Sequence, residues 1–187
     1  NLASASTNVT TVAAGTPVSS SAMNVTSLAS SVQMQETVPS GWVLASASCT
    51  DANGSLTSNG TGSFGSLAGS TLTIPTANLV YGADIVCTFT NQKVVPLTLR
   101  KTWANAIIND AVNVTSSGGT VNPSLSSVAN TTNETDTATV ANVYVGDTLT
   151  FSEGFTTGNS ANYNSALSCT GATDTNAADG LTINTAD

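Results

Sequence analysis

Histidine is absent from this 187-residue chain, and lysine and arginine together number three. The first absence removes the commonest general base and the commonest metal ligand. The second removes the cationic surface that would displace counterions from phosphates, which excludes nucleic acid as a partner. Charged residues make up 7% of the chain, against roughly 25% in ordinary soluble domains, and eleven acids leave a net charge of −8. No run approaches the roughly 20 apolar residues that span a bilayer. No basic stretch followed by an apolar core opens the chain, so no signal peptide is read here. There is no nucleophile–histidine arrangement and no glycine-rich phosphate loop, and the acids are not paired for glycoside hydrolysis. A non-enzymatic chain without a cofactor is expected.

What is present suits strands. Hydrophobic residues reach 40%, and many are β-branched. Glu, Lys, Arg and Gln are scarce, and no i, i+3, i+4, i+7 spacing is sustained. Strands are predicted over residues 32–37, 42–48, 70–75, 83–91, 95–103, 110–115, 136–143, 148–153 and 163–169. Turns are predicted at 51–55, 58–62, 80–84, 116–120 and 144–148. In "CTFTN", Cys87 and Phe89 share one face and Thr88 and Thr90 the other. The chain reads as all-β, in tandem β-sandwich domains of immunoglobulin-like or transthyretin-like type.

A pattern occurs twice. "QETVPSGWVLASASCT" carries Glu36, Trp42 and Cys49, and "FSEGFTTGNSANYNSALSCT" carries Glu153, Phe155 and Cys169. The glutamates are 117 positions apart and the cysteines 120, so the repeat is about 120 residues long. Repeats of this kind build arrays. The boundary falls near residues 93–96, giving units 1–94 and 95–187. The first has a closing "GADIVCTFTN" strand without an opening "LTLRKTW" strand, and the second has the reverse. The expectation is an excerpt from a longer array, each unit lacking one terminal strand. The alternative is half-domains that complement one another between molecules.

Cys49 and Cys87 fall on two predicted strands of one unit, as a disulfide or as two buried thiols. Cys169 matches Cys49, and its partner is expected beyond residue 187. A disulfide would place the protein outside the cytoplasm.

"LRKTW", "ETVPSGW" and "CTFTN" together resemble the collagen-adhesin B-type (CnaB-like, prealbumin-like) domains of bacterial surface proteins. The resemblance covers nearly all of both units. It departs from that family's cysteine-free members at Cys49 and Cys87, and "SEGFTTG" lacks the proline of "ETVPSGW". It implies a covalent bond between an opening-strand lysine and a closing-strand asparagine, assisted by a central glutamate. Lys101 would be the nucleophile of the second unit and Glu153 its acid–base helper, with the asparagine beyond residue 187. Glu36 and Asn91 would serve the first unit, whose lysine lies before residue 1. Such chemistry needs an uncharged amine and a proton-shuttling acid, both of which burial favours. The alternative is a surface lysine and two solvated acids.

Two weaker signals complete the inventory. Asp51, Asn53 and Ser55, and Asp174, Asn176 and Asp179, have oxygen ligands at calcium-like spacing, but neither set has the full twelve-residue pattern. Ordinary turns are expected there and no metal. Sequons occur at Asn8, Asn24, Asn53, Asn59, Asn113, Asn130 and Asn133. The reading is a structural module of an extracellular surface fibre, stalk or large adhesin, with neighbouring repeats or copies of itself as partners. The alternatives are a filament subunit joined by strand complementation and an adhesin domain that binds a host or matrix ligand. With Trp42, Trp103 and Phe89 on predicted strands, the aromatics are expected in the core rather than in a binding surface.

Overall fold

A computed structural model describes the chain except residues 1, 3–5, 12, 14, 172, 177–179 and 183–187; of residues 173–176 and 180–182 it describes the backbone. The protein is all-β. It divides into two compact units, residues 1–39 with 44–91, and residues 40–43 with 92–187.

In the first unit, β1 (Val32–Gln35), β4 (Thr71–Ile74) and β3 (Ser66–Ala68) form one antiparallel sheet. Val32 pairs with Ile74, and Leu67 with Leu72. Gly69, at φ 59°, makes the two-residue turn between β3 and β4, a conformation that favours glycine. The second sheet of this unit contains β2 (Trp42–Asp51) and the first part of β5 (Ile85–Leu97). Alternation turns one face of each strand inward. Val32, Cys49, Leu72, Ile74 and Leu79 form the buried core, with Ile85, Cys87 and Phe89 of β5 packed on it. Cys49 and Cys87 form a disulfide between β2 and β5.

The second unit holds a five-stranded sheet in the order β12-β13-β11-β7-β8. Its strands are β7 (Ala111–Ser117), β8 (Ser124–Val128), β11 (Thr148–Thr157), β12 (Thr173–Asn176) and β13 (Gly180–Thr182). β6 (Arg100–Ala104) pairs with β9 (Asn133–Thr137), and β10 (Ala141–Tyr144) pairs with the end of β5, Tyr144 opposite Val94. Pro96 fits inside β5 because Lys93 C=O accepts from Val145 N–H. That bond fixes the ladder's parity, so the missing N–H of Pro96 lies on the side away from β10. One core cluster is Val95, Val143, Leu149 and Phe151, against which Cys169 packs. The other is Trp103, Ala106, Val112 and Ala129, joined by Phe155 and Tyr163. Trp103 is 2% exposed, and its ring meets Phe155 and Tyr163 edge-on at 6.2 and 5.6 Å. Its Nε1 donates to Ser127 Oγ at 2.7 Å, and Ser127 Oγ donates to Asp136 at 2.6 Å. The buried indole N–H is thus satisfied.

Four expectations are corrected. The stretch 163–169 is not a strand. Asn159 caps a 3-10 turn over Ser160–Asn162 by accepting from Ala161 N–H, and Tyr163 leaves it to join the aromatic cluster. The candidate strand 136–143 is two strands, β9 and β10, interrupted at residues 138–140. The candidate 95–103 is likewise split, its start belonging to β5 and its end to β6. Trp42 is 43% exposed rather than buried. It lies an odd number of residues from Cys49, so the pleat turns it to the opposite face of β2. The short strands β3 and β8 were not expected, because "SLA" and "SLSSV" carry one or two apolar residues among serines.

Candidate functional site

Glu36 directly follows β1, whose ladder it extends by donating its N–H to Ser70 C=O at 3.0 Å. Asn91 lies on β5 four residues after Cys87, so both side chains turn to the same face. There Asn91 Nδ2 donates to Glu36 Oε1 at 2.6 Å. Glu36 Oε2 and Asn91 Oδ1 are buried and have no hydrogen-bond partner among the described residues. Buried polar atoms are nearly always satisfied, and both of these are acceptors. The pocket is therefore complementary to a donor, best of all a cationic one.

The second unit holds the converse arrangement. Lys101 on β6 and Glu153 on β11 form an ion pair, with Nζ 3.0 and 2.9 Å from the two carboxylate oxygens. Their side chains are 15% and 21% exposed. Lys101 Nζ also stands 4.6 Å from the centre of the Trp103 ring, within cation–π range. Ser165 Oγ makes a longer contact to Glu153, at 3.4 Å. Each site thus brings together two of the residues singled out from the sequence: an acid with an amide in the first unit, an acid with an amine in the second. Transfer of one proton from Nζ to Glu153 would leave a neutral amine beside a neutral acid, the pair that amide formation needs. Ser165 carries no signal in the sequence, because its contact depends on the irregular path after Asn162.

The loop after Cys49 uses its polar groups internally. Asp51, 5% exposed, accepts from Thr57 Oγ1 at 2.6 Å, Asp84 N–H at 2.9 Å, Asn59 Nδ2 at 3.0 Å and Asn53 N–H at 2.9 Å. The bond from Thr57 leads in lowering its carboxyl pKa to about 2, with help from Asp84, Asn59 and Asn53 against the opposing effect of burial. Asn59 Nδ2 also donates to Asn78 C=O. These donors hold the loop as a folded turn around Asp51. Of the other calcium-like set, Asp179 and the side chains of Asp174 and Asn176 lie outside the described residues.

The described residues form a charge-poor β-structure with a disulfide across one core. A family model described as a prealbumin-like fold domain matches residues 1–93, which supports a prealbumin-like domain in that part of the chain. No curated protein and no solved structure matches the chain.

Proposed function

We propose that the chain is a structural repeat module of an extracellular bacterial surface fibre, stalk or large adhesin, its units closed by lysine–asparagine amide bonds as well as by the disulfide. The observation that carries this reading is the Glu36–Asn91 pair, which keeps two buried acceptors without a donor among the described residues. A lysine amine would fill that position. Its neutral nitrogen would attack the Asn91 side-chain carbonyl carbon, forming a C–N bond, while the original amide nitrogen leaves as ammonia. Glu36 would carry the proton from the amine to the departing nitrogen. In the second unit Lys101 and Glu153 supply the amine and the acid, and the acceptor would be an asparagine on an adjoining strand.

The disulfide supports an oxidising, extracellular setting. Mechanical continuity, rather than turnover, would be the function. Intact-mass measurement on the protein isolated from its cell surface tests the reading. Each closed unit should weigh about 17 Da less than its sequence mass, the mass of one ammonia. An unshifted mass, with the disulfide accounted for, would falsify the crosslink.

A further inference from the structure

Lys101 pairs with an acid from another sheet, although an acid stands opposite it in its own ladder. Asp136 is the partner of Lys101 in the β6–β9 register. Residues so placed turn their side chains to one face, with Cβ atoms about 5 Å apart, and opposite charges there attract. Lys101 Nζ nevertheless bonds to both carboxylate oxygens of Glu153 on β11, at 3.0 and 2.9 Å. β6 and β11 belong to different sheets.

The bond that Asp136 makes instead accounts for this. Its Oδ2 accepts from Ser127 Oγ at 2.6 Å. Ser127 is 1% exposed, and its oxygen accepts from Trp103 Nε1 at 2.7 Å. A serine hydroxyl has a single proton, and the indole N–H occupies one of its lone pairs, so the proton is directed at the carboxylate. Hydroxyl-to-carboxylate bonds of this length are among the stronger ones, and this one ties Asp136 to β8. A ring contact does the rest. Trp103 meets Phe155 edge-on at 6.2 Å. Lys101 precedes Trp103 by two residues and Glu153 precedes Phe155 by two, so each pair shares a face of its strand. The contact that sets β6 against β11 therefore also brings Lys101 to Glu153, and the indole backs the amine with its ring centre 4.6 Å from Nζ.

We propose that Ser127 is a positioning residue: by holding Asp136 it assigns Lys101 to Glu153, and by anchoring Trp103 it keeps the amine against the indole face. Were Asp136 released, two carboxylates would compete for one ammonium, and Nζ would be drawn along the β6–β9 sheet into an ordinary cross-strand ion pair. Glu153 would then face the amine for only part of the time, and a group held off its reacting position loses rate steeply. The amine so placed is the nucleophile of the proposed crosslink, so the role of Ser127 in chemistry rests on that reading. Its hold on Asp136 does not, and a chain whose intact mass shows no loss of ammonia would still show it.

Side-chain NMR of the labelled chain tests the assignment directly. Lys93 and Lys101 are its lysines, so their signals separate readily, and protons on Lys101 Cε should be shifted upfield by the Trp103 ring. In Ser127→Ala the ammonium divides between two acids, and about half of that shift should vanish. Ser127→Ala with Asp136→Asn should regain it, because the competing charge is gone; a serine that merely supported the indole would give no such rescue. If Ser127→Ala loses its β-sheet circular dichroism, Asp136→Glu takes its place. Its longer side chain carries the carboxylate past Ser127 and should lose the shift, whereas Asp136→Asn alone should keep it. A full shift in Ser127→Ala or in Asp136→Glu, or a loss in Ser127→Ala that Asp136→Asn does not restore, would overturn the proposal.

Discussion

The side-chain amide of Asn91 donates to Glu36 Oε1 at 2.6 Å, while the second oxygen of Glu36 and the carbonyl oxygen of Asn91 are buried with no partner among the described residues. Two unsatisfied acceptors in a small core oppose folding.

Replacing both residues with apolar ones should therefore stabilise the chain. Glu36→Leu with Asn91→Leu is expected to raise unfolding stability by about 1–3 kcal/mol. Glu36→Leu alone should lower it, because the Asn91 amide then loses its remaining partner. Urea unfolding checks both variants; a destabilised double variant would mean that the pair does not carry unmet acceptors.

The Lys101–Glu153 pair should behave in the opposite way. Both side chains are mostly buried, so Lys101→Met leaves a carboxylate with little beyond Ser165 to replace its partner. A loss of about 1–3 kcal/mol is expected, with Glu153→Leu similar and the double variant losing less than the sum. A double-mutant cycle in denaturant measures the coupling; strictly additive losses would show that the two charges do not stabilise each other.

Acid should loosen the first unit through Asp51. Its carboxyl pKa is lowered to about 2 from the ordinary 3.8 by the Thr57, Asp84, Asn59 and Asn53 donors. A depressed folded-state value means that this contribution is complete above pH 4 and disappears as pH falls from about 4 to 2. In Asp51→Asn, thermal stability should lose this part of its acid dependence and be lower at neutral pH. An unaltered pH profile would remove Asp51 as the loop's anchor.

Loss of the disulfide should be the largest covalent effect open to simple measurement. Cys49 is fully buried and Cys87 packs on the same core, and the bond closes a 38-residue separation. Cys49→Ala with Cys87→Ala should cost about 2–5 kcal/mol in denaturant unfolding of the first unit. A loss below about 1 kcal/mol, no more than an ordinary surface substitution gives, would mean that packing alone holds β2 to β5.

Much of this architecture was legible from local pattern. "CTFTN" announces its alternation, and Cys87, Phe89 and Asn91 do share the inner face of β5. "LRKTW" likewise predicts that Lys101 and Trp103 turn the same way, and both do. The serine-rich strands β3 and β8 were not legible, because a short run with one or two apolar residues has no measurable period. The repeat itself misled at Cys169. "SALSCT" copies "SASCT" in residue type, yet the capped turn before it and the docking of Tyr163 on Trp103 take that segment out of the strand ladder.

By itself the sequence determined an all-β chain with three cations and no histidine, and it singled out Lys101, Glu153, Glu36 and Asn91. Those facts follow from composition and from a period of two, which act over a few residues. Tertiary structure alone decided which groups meet. Glu36 and Asn91 are 55 residues apart, and Lys101 and Glu153 are 52, distances over which no local preference acts. Register in paired strands sets those contacts, since a slip of one residue turns a side chain to the other face. The same register pairs an acid with an amide at one site and an acid with an amine at the other.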